Sequence, residues 1–200
     1  MFDARVRAGL APYLNAAARP LAARGIPAGA VTAAGFAVGA AACVAAAMAA
    51  WPLALVLWLA NRVLDGLDGA VARARGASDR GGFLDIVADF AVYGGFVLGV
   101  AVARPEARLA CVALLAAYYL SGSALLAWSS LAERRALAAG DDRSLRFVGG
   151  LAEGTETVVV YVLLCLFPRA AAPIAWGFAA VVAVTALQRI TFAARALGRA

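Results

Sequence analysis

Four aspartates lie inside stretches that otherwise have the composition of membrane-spanning helices. They are Asp65, Asp68, Asp85 and Asp89. An ionised carboxylate near the middle of a membrane helix costs about 2.5–3.5 kcal/mol on insertion scales. Because these four groups are close in sequence, positive charge nearby must compensate them. A bound metal ion is the compensation that the pattern favours.

The spacing of the aspartates places them on two helix faces. With 3.6 residues per turn, Asp65 and Asp68 share a face with Gly69 and Ala72, and the other two aspartates share a face of the next helix. An all-oxygen cluster suits Mg²⁺ or Mn²⁺. The chain has no His and three separate Cys residues, so nothing in it selects zinc.

The first of these helices also has an open side. Gly66, Gly69 and Ala72 allow close approach of a bulky ligand, and Arg73 lies one turn beyond Gly69. A guanidinium at that position can pair with a phosphate or with a neighbouring carboxylate. A metal site, an arginine and an open groove on the same helix together suggest a substrate that carries phosphate.

The helices that position these residues belong to a membrane protein. Hydrophobic residues make up 64% of the 200-residue chain, charged residues only 15%, and the mean hydropathy is +0.85. Such a chain cannot cover a soluble globule with polar surface. We expect an all-α integral membrane protein.

The length allows six transmembrane helices of the ~20 residues that a bilayer requires. Trp51-Pro52, Arg104-Pro105 and Phe167-Pro168 mark three boundaries, and the polar run 73–82 divides the second span from the third. The predicted spans are 27–48, 52–76, 82–103, 107–135, 146–167 and 171–195.

Positive charge predicts the orientation. All 18 basic residues are arginines, and most of them fall before the first span or after the second, fourth and sixth. The positive-inside rule then places both termini and the aspartates on the cytoplasmic side. The net charge of +6 is explained by this topology and by anionic lipid, and no nucleic-acid motif is present. A bacterial-type inner membrane is the expected location.

Residues 1–25 form a separate segment ahead of the membrane domain 26–200. Phe2, Val6, Leu10 and Leu14 recur at helical spacing, as in a short amphipathic helix lying in the membrane interface. Pro12 and Pro20 are expected to break it into shorter pieces.

The order of residues around the aspartates resembles the signature of the CDP-alcohol phosphotransferases, which are integral membrane enzymes of phospholipid synthesis. Asp65-x-x-Asp68-Gly69-x-x-Ala72-Arg73 is followed by Gly81-x-x-x-Asp85-x-x-x-Asp89. The chain departs from the family pattern in one respect. Seven residues, 74–80, separate Arg73 from Gly81 where the family has eight, so the fine contacts of this loop differ.

The resemblance implies transfer of a phosphoalcohol from a CDP-linked donor to an acceptor hydroxyl, with release of CMP, by a homodimeric enzyme. It implies that the four aspartates hold two divalent ions and that Asp89 is the catalytic base. The residues implied in CDP binding are Asp65, Asp68, Gly69, Ala72, Arg73, Gly81 and Asp85. CDP-diacylglycerol is the expected donor and a small polar alcohol the acceptor, with a soluble CDP-alcohol and a lipid acceptor as the alternative.

The acceptor is expected near the start of the fifth span. Arg143 and Arg146 could bind a phosphorylated acceptor, whereas Glu153 and Glu156, at i, i+3 spacing, could bind an amino alcohol or a polyol. Ordinary roles, interface capping for the arginines and interhelical hydrogen bonds for the glutamates, are the alternative. Two glutamates inside a span are costly, which favours a polar cavity.

A different class of function also accounts for intramembrane charge. The aspartates could pair only with Arg62, Arg73 and Arg80, or line the pathway of a small ion-coupled transporter. Neither alternative gives a role to the ordered glycines, alanine and arginine between the aspartates. The sequence therefore favours the enzyme.

Overall fold

The computed structural model describes residues 2–134 and 151–198, and this part of the chain is helical without any strand. These residues form seven α-helices and two single-turn 3-10 helices, which begin at Pro105 and Pro168. The helices are α1 (Phe2–Ala23), α2 (Ala28–Ala47), α3 (Trp51–Arg75), α4 (Asp79–Ala103), α5 (Arg108–Arg134), α6 (Gly154–Leu166) and α7 (Ala171–Gly198).

Helices α2 to α7 fall at the six predicted spans, and four segments of the described part of the chain are long and apolar enough to cross a membrane. Those four are Ala28–Ala47, Asp79–Ala103, Pro105–Arg134 and Pro168–Gly198. Helix α3 differs because it carries Arg62, Asp65 and Asp68, and α6 differs because its 13 residues fall short of a full span. The protein is an integral membrane protein by these apolar helices, and six spans stay a prediction.

The connection between α3 and α4 is shorter than predicted. Helix α3 continues to Arg75 and α4 begins at Asp79, so only residues 76–78 are non-helical. Gly76 has φ +100°, a conformation that favours glycine. Ser78 is the N-cap of α4, and its hydroxyl accepts a hydrogen bond from the Gly81 backbone N–H at 3.1 Å.

Helix α1 is continuous, so the predicted break at Pro12 and Pro20 is wrong. A proline inside a helix costs about 3 kcal/mol or more, and tertiary packing offsets this. Ala18 is buried against α3, and Leu14 and Leu21 pack around it. The α3 and α2 residues in this cluster are Leu67, Ala70, Val71 and Ala28.

Small residues let α2 lie in the groove between α3 and α4. A Cβ added at Gly39 would lie 2.6 Å from Val92 Cγ2, and one added at Gly35 would lie 3.4 Å from the Leu64 Cβ. This close packing is what a stripe of small residues provides in membrane helices. Helices α5 and α7 form the second closely packed pair.

An aromatic layer joins α3, α4 and α6. The buried rings of Trp58, Phe96 and Tyr161 lie 4.7–5.5 Å apart between centroids. The Tyr161 hydroxyl donates a hydrogen bond to the Tyr93 carbonyl oxygen at 2.8 Å. These contacts fix the register of α3, α4 and α6 beneath the aspartates.

Candidate active site

The four aspartate side chains line one cavity between α2, α3 and α4. Its other lining residues are Thr32, Gly35, Phe36, Asn61, Ala88 and Val92. The cavity volume is about 10 Å³, which is the space of roughly one water molecule. The cavity therefore fits an ion, and a nucleotide would have to bind at its mouth.

The carboxylates are close enough to repel one another across the two helices. Asp65 is repelled by Asp85 and Asp89, and Asp68 is repelled by the same two. Asp68 also contacts the Thr32 hydroxyl, which donates a hydrogen bond to the Ala28 carbonyl oxygen at 3.1 Å. The structure thus brings together the aspartates that the spacing placed on two facing helices.

Arg62 is the cation closest to this cluster in the described part of the chain. Its Nη2 lies 2.9 Å from Asp89 Oδ1, and its Nη1 lies 3.6 Å from Asp65 Oδ2. Pairing of the aspartates with Arg62 was one alternative reading of the sequence, and it holds for two of the four. No ion pair joins Arg73 or Arg80 to an aspartate within the described residues.

The residues that hold Arg62 in place were missed from the sequence. Nη1 donates to the Tyr93 hydroxyl at 2.7 Å, and Nε donates to Asn61 Oδ1 at 2.9 Å. The Asn61 amide in turn donates to the Gly35 carbonyl oxygen at 2.8 Å. The only local signal was the i, i+3 spacing of Arg62 and Asp65, since the other contacts depend on helix register.

The donor set fits a hard divalent cation by its chemistry, because four carboxylates around one cavity supply only oxygen ligands. As the side chains stand, however, no three acidic, Cys or His groups among the described residues are placed to hold a metal ion. Arg62 accounts for part of this arrangement, since it engages Asp65 and Asp89. Metal binding would require these two carboxylates, which already line the cavity, to release Arg62 and converge on the ion.

The remaining predicted residues of the CDP site lie at the same end of the α3–α4 pair. Arg73 is exposed near the end of α3, and its guanidinium lies over Gly69, where an added Cβ would be 3.4 Å from Nη1. Gly81 lies in the first turn of α4, one turn before Asp85, and Ala72 is half-buried. None of the three is among the residues that line the cavity.

The predicted acceptor residues are only partly described. Arg143 and Arg146 lie outside the described residues. Glu153 and Glu156 form a capping box at the start of α6. The Glu156 carboxylate accepts from the Glu153 backbone N–H at 3.1 Å, and the Glu153 carboxylate accepts from the N–H of Glu156. The structure therefore gives both carboxylates a local partner that the spacing alone did not predict.

The start of α6 lies at about the level of the aspartates. The rings of Tyr161 and Trp58 are 4.7 Å apart, and α6 begins at the same end of the bundle as α4. At 1.5 Å per residue, Asp65 is about 10 Å beyond Trp58, and Glu153 is about 12 Å beyond Tyr161. Near Glu153, the buried Arg189 donates to Ser121 Oγ at 2.8 Å.

Comparison with known proteins identifies one close relative. The sequence is 40% identical over 196 residues to "Inner membrane protein YnjF" of Escherichia coli (strain K12), and the match covers 95% of this chain and 94% of the relative. The chain belongs to the same family as this inner membrane protein. No protein-family model matches the chain.

Solved structures show which fold this is. Mycobacterium tuberculosis phosphatidylinositol phosphate synthase (PgsA1) with CDP-DAG bound matches with a TM-score of 0.72 and 21% identity, over 90% of this chain and 92% of that one. The same enzyme in complex with manganese and citrate matches with a TM-score of 0.72 and 22% identity, over 90% and 88%. PgsA1 is a CDP-alcohol phosphotransferase. The likeness confirms, at the level of fold, the resemblance predicted from the aspartate signature.

Proposed function

We propose that the protein is a transferase of phospholipid synthesis. It transfers a phosphatidyl group from CDP-diacylglycerol to the hydroxyl of a small polar acceptor and releases CMP. The observation that carries this proposal is the convergence of Asp65, Asp68, Asp85 and Asp89 on one cavity. The shared fold of PgsA1, which was solved with CDP-DAG bound, supports the choice of donor.

The chain's own residues have distinct roles in this proposal. The cavity has the space of about one ion, so it would have to widen for the four aspartates to hold two divalent ions, Mg²⁺ or Mn²⁺. When bound, these ions would neutralise the donor pyrophosphate and stabilise the CMP leaving group. The structure of PgsA1 with manganese and citrate supports a divalent ion. The residues at the cavity mouth that contact CDP are Gly69, Ala72, Arg73 and Gly81. Of these, the exposed Arg73 is free to pair with a donor phosphate.

Asp89 accepts the proton of the acceptor hydroxyl. The acceptor oxygen forms a bond to the phosphatidyl phosphorus while the phosphoanhydride bond to CMP breaks, with the two oxygens in line. A carboxylate is a weak base for an alcohol. Asp89 therefore depends on proximity to the hydroxyl and on proton loss late in the displacement.

The acceptor enters beside the start of α6. Glu153 and Glu156 lie at about the level of the aspartates, which supports this position for an acceptor with amino or hydroxyl groups. The site opens to the cytoplasm, where both termini also lie, and residues 1–25 lie in the membrane interface. The arginine distribution supports this orientation.

The test is CMP release by the purified full-length protein with CDP-diacylglycerol and Mg²⁺ or Mn²⁺. The acceptor panel contains glycerol phosphate, inositol phosphate, inositol, serine and choline. Asp89→Asn is the test variant. Asp79→Asn is its matched control, because Asp79 is exposed in the first turn of the same helix.

Release that one acceptor stimulates and that Asp89→Asn abolishes is the expected result. Near-normal turnover in folded Asp89→Asn would show that Asp89 is not the base. If CMP were released only from a soluble CDP-alcohol in the presence of diacylglycerol, the donor would be the soluble molecule and the acceptor the lipid. If the protein turned over no nucleotide but carried ions across the membrane of vesicles, it would be a transporter and not an enzyme.

A further inference from the structure

Arg62 is a cation held inside the helix bundle against the carboxylate cluster. Its side chain is 11% exposed. The guanidinium carbon lies 4.7 Å from the Trp58 ring centroid and 4.8 Å from the Tyr93 ring centroid. Each face of an aromatic ring attracts a cation, most strongly where water is excluded. Arg62 is therefore anchored by its surroundings independently of any ligand.

The hydrogen bonds of Arg62 fix the direction of its charge. One nitrogen donates to Asn61, one to Tyr93 and one to Asp89. Asn61 is itself held by the Gly35 carbonyl oxygen on α2. A planar guanidinium can satisfy these acceptors at once, whereas the point charge of a lysine cannot.

The position of Arg62 has an electrostatic consequence for the cluster. A buried carboxylate without a partner is strongly unfavourable. Of the four carboxylates that line this cavity, that of Asp68 is buried and the other three are half-buried. Arg62 supplies one positive charge to Asp89 on α4 and to Asp65 on α3. The same charge repels any divalent ion that enters the cavity.

We propose that Arg62 is an internal counter-ion of the carboxylate cluster, which positions Asp89 and Asp65 and lowers the affinity of the cavity for divalent cations. It is a positioning residue and does not contact the substrate. The part of this inference that concerns turnover rests on the proposed function. The part that concerns cation binding does not.

Removing the charge of Arg62 should change cation binding and turnover in opposite directions: the affinity for Mn²⁺ rises and kcat falls. Loss of the charge strengthens the attraction between the carboxylates and a divalent ion, so the Kd for Mn²⁺ falls. Loss of the hydrogen bond to Asp89 leaves that carboxylate without a fixed orientation toward the acceptor hydroxyl, so kcat also falls. A residue that merely stabilised the fold would weaken cation binding and turnover together.

The experiment compares the full-length protein with Arg62→Gln, Arg62→Lys and the control Arg108→Gln. Arg108 is exposed beyond the other end of α4, where it donates to the Ala101 carbonyl oxygen at 3.2 Å. Mn²⁺ binding is measured from the electron paramagnetic resonance signal of the free ion. CMP release and the midpoint of thermal unfolding are measured on the same samples.

Arg62→Gln is expected to bind Mn²⁺ several-fold more tightly and to lose about tenfold or more in kcat, the range typical of residues that orient metal ligands. Arg62→Lys is expected to keep the wild-type Mn²⁺ affinity and to lose kcat. Arg108→Gln is expected to match the wild type. Unchanged or weaker Mn²⁺ binding by folded Arg62→Gln would overturn the proposal, as would a wild type that binds no Mn²⁺.

A second pair of variants covers the case in which Arg62→Gln does not fold. The double variant Arg62→Gln/Asp89→Asn removes both members of the ion pair, and Asp89→Asn alone is its reference. Tighter Mn²⁺ binding by the double variant is expected, and equal or weaker binding would overturn the proposal. If the wild type releases no CMP, the proposed function fails, while the Mn²⁺ measurements still decide the role of Arg62.

Discussion

The aspartates of α3 and α4 and the glutamates at the start of α6 are both acidic groups at helical spacing, but they have different partners. The aspartates face one another across a cavity, where Arg62 compensates two of them. Glu153 and Glu156 bind backbone N–H groups of their own helix. The aspartate charges depend on tertiary structure alone, whereas each glutamate also has a backbone partner within a single turn.

The difference follows from where each carboxylate lies along its helix. The first four N–H groups of a helix have no partner within the helix, so acidic side chains at the start of α6 can cap them. Asp65 and Asp89 lie well inside their helices, where backbone N–H groups are already bonded. Their charge must therefore be met by another side chain or by an ion. Four predictions test this contrast.

The largest expected effect is at Asp85. Asp85→Asn removes one carboxylate from the cavity, so CMP release and Mn²⁺ affinity should each fall at least about 100-fold, the upper range for residues that support a metal ligand. Turnover and the free-ion signal of Mn²⁺ measure the two effects. Glu153→Gln, which keeps a hydrogen-bond acceptor at the start of α6, should lose far less. Equal losses in the two variants would contradict the contrast.

The next effect is at Gly39, where α2 supports the residues behind the aspartates. A Cβ at Gly39 would lie 2.6 Å from Val92 Cγ2 and 2.8 Å from Asn61 Nδ2. Val92 is β-branched and Asn61 is hydrogen-bonded, so neither can easily move. Gly39→Ala should therefore destabilise the protein by about 1–3 kcal/mol.

The midpoint of thermal unfolding in detergent measures this change. Gly177→Ala is the matched control, because nothing lies within 4 Å of a Cβ added there. That variant should be neutral or stabilised by up to about 1 kcal/mol. If both variants unfold at the same temperature, the close packing of α2 does not support the site.

The helices could be predicted because their signals are local. Proline boundaries and apolar runs located α2 to α7 to within a few residues, apart from the start of α6, whose predicted first residues are not described. The continuity of α1 could not be predicted, since it depends on packing against α3. The N-cap at Ser78 had a recognisable signal, a serine followed by an aspartate in the first helical turn. Because this N-cap starts α4 directly after Ser78, only residues 76–78 separate α3 from α4.

The residues of the site also fall into a predictable and an unpredictable group. The spacing of the aspartates was enough to place them on facing helices, because helical periodicity is local. Asn61, Tyr93 and Thr32 were missed because their contacts cross from one helix to another. The capping box of Glu153 and Glu156 was missed for a different reason. Its recognition requires the first residue of α6, which was predicted too early in the chain.

A smaller effect is expected at Thr32, whose hydroxyl contacts Asp68 from α2. Thr32→Val keeps the shape of the side chain and removes that contact. The single Thr32 hydroxyl proton is directed at the Ala28 carbonyl oxygen and must turn to Asp68 to bind it. A typical hydrogen bond contributes about 1 kcal/mol, so Mn²⁺ affinity should fall about fivefold. Thr191→Val is the control, because Thr191 is exposed on α7 and its hydroxyl donates to the Leu187 and Gln188 carbonyl oxygens of that helix. Equal Mn²⁺ affinity in the two variants would show that Thr32 does not orient Asp68.

The smallest effect is expected at Glu156, and it separates capping from acceptor binding. Glutamine also completes a capping box, so Glu156→Gln should leave the unfolding midpoint unchanged, whereas Glu156→Ala should lose about 1 kcal/mol. If the carboxylate also contacts the acceptor, Glu156→Gln should raise the acceptor KM about two- to threefold, or about 0.5 kcal/mol, with CDP affinity intact. An unchanged KM in that variant would restrict Glu156 to capping. The charge of the acceptor would then have to be recognised by other residues near the cavity mouth.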